Sequence, residues 1–168
     1  MKLAELIDQL EWIIPLSGAF VILLLAVYIL NRYRKNRMQA SLFWGLALIA
    51  QSANFFMEYG LHSSVISRNA SSVFVAQLFS ASMLVLFYIG CAISLTKGLF
   101  YTKILPLFLF CAQVIILTYV DFGLNMFIFG TVLQMGFFGF PLLVFFGGFF
   151  FYDYVSHRRR PSLVLGVG

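Results

Sequence analysis

Gln51, Asn54, Glu58 and His62 stand at helical spacing within "AQSANFFMEYGLH". At roughly 100° per residue they fall within about 80° of one another on a helix. Trp44 shares that face two turns earlier, Ser52 falls off it and Tyr59 adjoins it. The other faces carry Leu46, Leu48, Ile49, Phe56 and Met57. A carboxylate, an imidazole and two amides on one face can bind a polar ligand or line a pathway. The same amides can equally serve as hydrogen-bond glue between helices, worth about 0.6 kcal/mol each, with Glu58 as an interfacial anchor. Either way the stripe must face protein or water, because the run that carries it is built for lipid.

Composition requires a membrane setting. Of the 168 residues 62% are hydrophobic and 10% charged, and 21 are Phe, against about 25% charged in soluble domains. A spanning helix needs roughly 20 mostly apolar residues, and five runs qualify, at about 12–31, 41–60, 72–95, 100–120 and 125–152. No linker or repeat divides them, so residues 1–168 read as a single transmembrane helical domain, an all-α integral membrane bundle of five helices. "MKLAELIDQLEW" is acidic and amphipathic, unlike a cleavable signal peptide, and reads as a short interfacial helix over 3–11. The closing "PSLVLGVG" is either an interfacial end or, as favoured here, the start of a sixth helix.

Orientation follows from the basic residues. Of the 11 in the chain, Arg32, Arg34, Lys35, Arg37, Lys97, Lys103, Arg158, Arg159 and Arg160 fall on one side, and Lys2 and Arg68 on the other with Glu5, Asp8, Glu11 and Asp121. The larger group faces the cytoplasm, which puts the N-terminus outside in a multi-pass protein of the cell membrane. The basic clusters are explained by this topology and by anionic headgroups, so no nucleic-acid partner is expected.

On this topology Gln51 is near the midplane, Glu58 in the outer third and His62 at the outer interface. Facing partners recur elsewhere. Gln77 and Tyr88 stand at helical spacing with Ala81 and Leu84, with Ser80 alongside. Gln113 is mid-membrane, and Thr131 and Gln134 lie in the outer half and near the middle. Amides both donate and accept, so Gln51, Gln113 and Gln134 could satisfy one another or hold a neutral ligand.

Other chemistries find little support. His62 and His157 sit at opposite ends and cannot share a haem iron. Cys91 and Cys111 lie in apolar runs without metal-ligand spacing. Glu58 is the one acid well inside a predicted span, so no catalytic residues, metal or cofactor are expected. "NAS" at 69–71 matches a glycosylation acceptor in the outer loop, close to the membrane. Gly136, Gly139 and Gly147 fall near one face of the fifth run and read as a helix-packing surface, within the chain or between subunits.

"RYRKNRMQASLFWGLALIAQSANFFMEYG" resembles part of the N-terminal multi-helix membrane sensor regions of prokaryotic signalling proteins of the histidine kinase type, with Trp44 and Glu58 carrying the match over residues 32–60. The resembling proteins carry a cytoplasmic kinase domain that these 168 residues do not include, so a truncated domain or a free-standing subunit is expected. The first reading is a small sensor-type or accessory membrane protein acting through helix–helix contacts, with other membrane subunits or a second copy as partners and a small or lipid-like ligand bound in the outer half. The alternative is a transporter or channel subunit whose pathway the stripe lines. A dry, closed bundle would favour the first reading, and a pore lined by the three glutamines the second.

Overall fold

The computed structural model describes residues 3–95, 98–124 and 126–157, and every regular element among them is helical. Three helices come first: α1 (Leu3–Asn36), α2 (Gln39–His62) and α3 (Ala70–Leu95). The fourth, α4, spans Phe100–Gly123, with π-helical turns at Phe100–Ile104 and Tyr119–Gly123. The last, α5, runs through Phe127–Leu133, a π turn at Gln134–Gly139, and Phe140–His157. Among the described residues four helices are long and apolar enough to cross a membrane: α1 from Ile13 onward, α2, α3 and α4. The molecule is therefore a helical membrane bundle. Lys97, the basic cluster 158–160 and the apolar end expected to begin a sixth helix lie outside the described residues.

The segment expected as a separate interfacial helix over 3–11 is instead the first part of one continuous α1, which runs on through Pro15. Pro15 is the thirteenth residue of this helix; it removes one backbone bond, a loss that membrane helices tolerate.

The chain packs as a sequence of neighbours around α3. Half of the α3 span (50%) is buried, against 11% for α1. α1 packs on α2, and α3 touches α2, α4 and α5. Small residues line the first joint: Ala19 and Ala26 of α1 are buried, and Gly45 of α2 lies directly against Leu30 of α1. Ser52 donates to the Ala19 carbonyl at 2.9 Å across it. This is the small-residue packing by which lipid-embedded helices approach each other. At the second joint the Trp44 indole of α2 lies over Gly90 of α3, where any Cβ would overlap the ring, and it meets the Cys91 thiol.

Short, specified connections keep neighbours antiparallel. Arg37 turns the chain between α1 and α2 in a left-handed conformation (φ 53°), its N–H bonded to the Tyr33 carbonyl at 2.7 Å. After α2, Ser63 caps back to Tyr59, Ser64 is left-handed (φ 60°), and the Ile66 side chain covers Gly60. Asn69 then caps α3: its Oδ1 accepts the Ser72 N–H at 2.9 Å while Ser72 Oγ accepts the Asn69 N–H at 3.0 Å. That is a reciprocal capping box, and it gives the "NAS" asparagine a structural task.

The two ends of the bundle differ in chemistry. Toward the 98 end, Leu84, Tyr88, Ala92 and Leu142 form an apolar core with Met83, Leu105 and Phe138 around it. Tyr88 and Phe145 stack with ring centroids 5.4 Å apart. Toward the 63–69 loop the interior is polar.

Candidate functional site

At the loop end α2, α3 and α5 part to leave a cleft of about 190 Å³. Asn54, Glu58, Leu61 and His62 line it from α2, Arg68 from the loop, Val73, Ala76, Gln77 and Ser80 from α3, and Gln134 from α5. Five of the residues singled out by type and spacing thus meet around one space: Asn54, Glu58, His62, Gln77 and Gln134.

The other three do not reach it, and the reason is depth. Trp44 faces Gly90 across antiparallel helices, so seven residues along each, at about 1.5 Å per residue, Gln51 lies level with Met83, where the apolar core begins. It is half-buried, with Oε1 enclosed and without a hydrogen bond. Tyr88 belongs to the apolar core. Gln113 is fully buried on α4, and neither of its amide atoms has a partner. The three glutamines do not converge on one lumen.

Within the cleft the polar groups are partly paired. Asn54 Nδ2 donates to Glu58 Oε1 at 2.9 Å, an i to i+4 contact that fixes the carboxylate and leaves Oε2 to accept. Gln134 Nε2 donates to the Gln77 carbonyl at 3.0 Å and ties α5 to α3. Gln134 is the first residue of the π turn in α5, and such turns occur frequently at functional sites.

Behind Gln77 lies a residue that the hydropathy pattern places in an outer loop. Asp121 is inside α4, in the π turn Tyr119–Gly123, and is 0% exposed. Gln77 is the hydrogen-bonding group beside its carboxylate, but neither oxygen has a well-formed hydrogen bond. Gly130 of α5 closes the space: a Cβ there would stand 2.7 Å from Asp121 Oδ1 and 3.2 Å from Gln77 Nε2. Glu58 is thus not the one acid within the apolar helices. The signal was available, because Pro106, Gln113, Leu117 and Asp121 recur at seven, four and four residues and all are buried.

The glycines of α5 divide. Gly139 is buried and Gly147 half-buried, whereas Gly136 is exposed, with nothing within 4 Å of where a Cβ would be. The π turn changes the angle per residue, so a face projected at 100° does not stay together through residues 134–139.

No group of three or more metal-ligating side chains occurs among the described residues. Cys91 is buried and Cys111 exposed, each as a free thiol. Compared with known proteins, the chain matches no family model, no curated protein and no solved structure.

Proposed function

We propose that the protein crosses the cell membrane five times with its N-terminus outside, takes a small polar ligand into the α2–α3–α5 cleft, and acts as a sensor-type or accessory subunit through helix contacts. The observation that carries this reading is the cleft itself: polar side chains from three helices gather at one end, above an apolar core. Its volume of about 190 Å³ is below the roughly 300–1,000 Å³ of sites for drug-sized molecules, so the ligand is small. The α2 lining connects to both joints of the bundle, since Ser52 bonds α1 and Trp44 seats on α3. Occupancy could therefore bias how α1 and α3 sit on α2, the differential contact that a population shift requires. The resemblance of residues 32–60 to sensor regions supports the same reading. The transporter or channel alternative draws on Gln113 and Asp121, the polar groups below and behind the cleft, but the Leu84, Tyr88, Ala92 and Leu142 core weighs against an open pathway.

Two experiments test the proposal. In cells, Asn36→Cys should label from the cytoplasm and Ser64→Cys from outside; the reverse would invert the topology. In vitro, a screen of small polar solutes should find one that raises the melting temperature of the purified protein, and Ser80→Leu, which fills the cleft, should abolish the effect. Protein-dependent solute flux through sealed liposomes would instead favour the pathway reading.

A further inference from the structure

Two opposite charges line the cleft without meeting. Glu58 projects from α2 and Arg68 from the loop before α3. Among the described residues the hydrogen bond to the Glu58 side chain comes from Asn54, and no ion pair joins the carboxylate to Arg68 or His62. Both border the same open space.

The cleft floor holds a third observation. Hydroxyls elsewhere in these helices turn back onto the carbonyl one turn earlier: Ser82 onto Leu78, Ser94 onto Gly90 and Thr118 onto Val114, at 2.7–3.0 Å. That is the usual solution where water is scarce. Ser80 does not follow it. Its Oγ has no hydrogen-bond partner although the residue is only 4% exposed, and it lines the cleft. A buried hydroxyl left open costs free energy unless something fills the role.

Resting on the reading of the cleft as a binding site, we propose that its ligand is a small zwitterion, with a primary ammonium accepted by Glu58, an acidic group held by Arg68, and a neutral polar atom on Ser80. Each half fits its partner by chemistry. The Asn54 bond leaves Glu58 Oε2 free to accept an ammonium N–H. A guanidinium presents paired donors that match a carboxylate or a phosphate. A free amino acid has this chemistry, and so does the phosphoethanolamine headgroup of a lipid, which lies at the depth where the cleft opens on the proposed topology.

The test uses the full chain purified in detergent, with thermal unfolding read against four probes at matched concentration. These are L-serine, with both charges; ethanolamine, with the ammonium alone; propionate, with the acid alone; and glycerol, with neither. A parallel arm compares nanodiscs of phosphatidylethanolamine and phosphatidylglycerol. Stabilisation by serine beyond that of either half-probe supports the proposal and assigns it to a free solute. Stabilisation confined to phosphatidylethanolamine discs supports it and assigns it to the headgroup. In either case Glu58→Gln and Arg68→Gln should each weaken the apparent affinity at least about tenfold. Arg68 is an exposed loop residue, so that variant reports even where Glu58→Gln does not fold. If ethanolamine or propionate alone matches serine, or if glycerol binds and neither charge variant matters, the zwitterion is wrong while the cleft remains a site. If no probe or lipid binds, and Ser80→Leu leaves stability and every response unchanged, both the ligand class and the site fall.

Discussion

Polar side chains occur in two neighbouring places in this bundle, and they are handled in opposite ways. In the cleft, Asn54 pairs with Glu58 and Gln134 with the Gln77 backbone, and open space gives the remaining atoms access to water or ligand. On α4, Asp121 and Gln113 are 0% exposed, and neither has a well-formed side-chain hydrogen bond. Gln77 separates the two regions, lining the cleft on one side and facing Asp121 on the other. Polarity beside a cavity can be satisfied locally, whereas polarity sealed between helices is a standing cost. Such a cost is tolerated where an intramembrane polar group has a task. The mutational signs should therefore differ between the two places.

The largest effect is expected at the wall of the closed region. Gly130→Val would push a branched side chain into Asp121 Oδ1 and Gln77 Nε2, already close to an added Cβ. Overpacking of this kind costs about 1–3 kcal/mol and occasionally more, and here one of the displaced groups is a fully buried carboxylate. Loss of the folded peak in size-exclusion chromatography, or a strong fall in melting temperature, is the expected result. A variant as stable as the parent would mean that the region is roomy and that the contrast with the cleft is false.

Why the cleft was more legible than the closed pocket follows from the same chemistry. Asn54, Glu58 and His62 interrupt a helix whose other faces are apolar, so the 100° period alone brings them to one side. Their partners Gln77 and Gln134 stand out because amides are rare in such runs. Asp121 sits among Tyr119, Phe122 and Gly123 near a helix end, where acids mark loops, and only the extension of α4 to Gly123 turns it inward. Arg68 was legible as a topology marker, but its place on the cleft depends on the turn made by Ser64 and the Asn69 cap. The helices themselves were legible from hydropathy to within a few residues. The continuity of α1 was not, because its acidic start resembles a separate interfacial segment. The π turns were not legible either, since no residue type specifies them.

A second prediction reverses the sign. Asp121→Asn removes a formal charge that has no countercharge beside it among the described residues, keeps the shape, and should raise stability. A neutral amide costs less to bury than an unpaired charge, so the melting temperature in detergent should climb. A fall would show that the carboxylate makes a contact the resting bundle relies on. Gln113→Leu belongs to the same class with a smaller gain, of order 1 kcal/mol, because an amide is cheaper to bury than a charge. If either variant is more stable and yet loses ligand response, the cost carried on α4 is tied to function.

The smallest effect is expected in the cleft, and it separates pairing from binding. Asn54→Leu deletes the donor to Glu58 Oε1 without removing the charge. Hydrogen bonds between side chains in membrane bundles average about 0.6 kcal/mol, and Glu58 beside a cavity can take water in place of the amide. Stability should therefore fall by a few tenths of a kcal/mol, close to the resolution of thermal unfolding. The carboxylate would also lose the contact that orients it, so ligand affinity should drop while the fold survives. A loss of several kcal/mol would make Asn54 a packing element, and would place the cleft's polarity in the same class as Asp121. An unchanged affinity alongside an unchanged fold would show that Glu58 needs no orienting partner and that the stripe on α2 does less than its spacing implies.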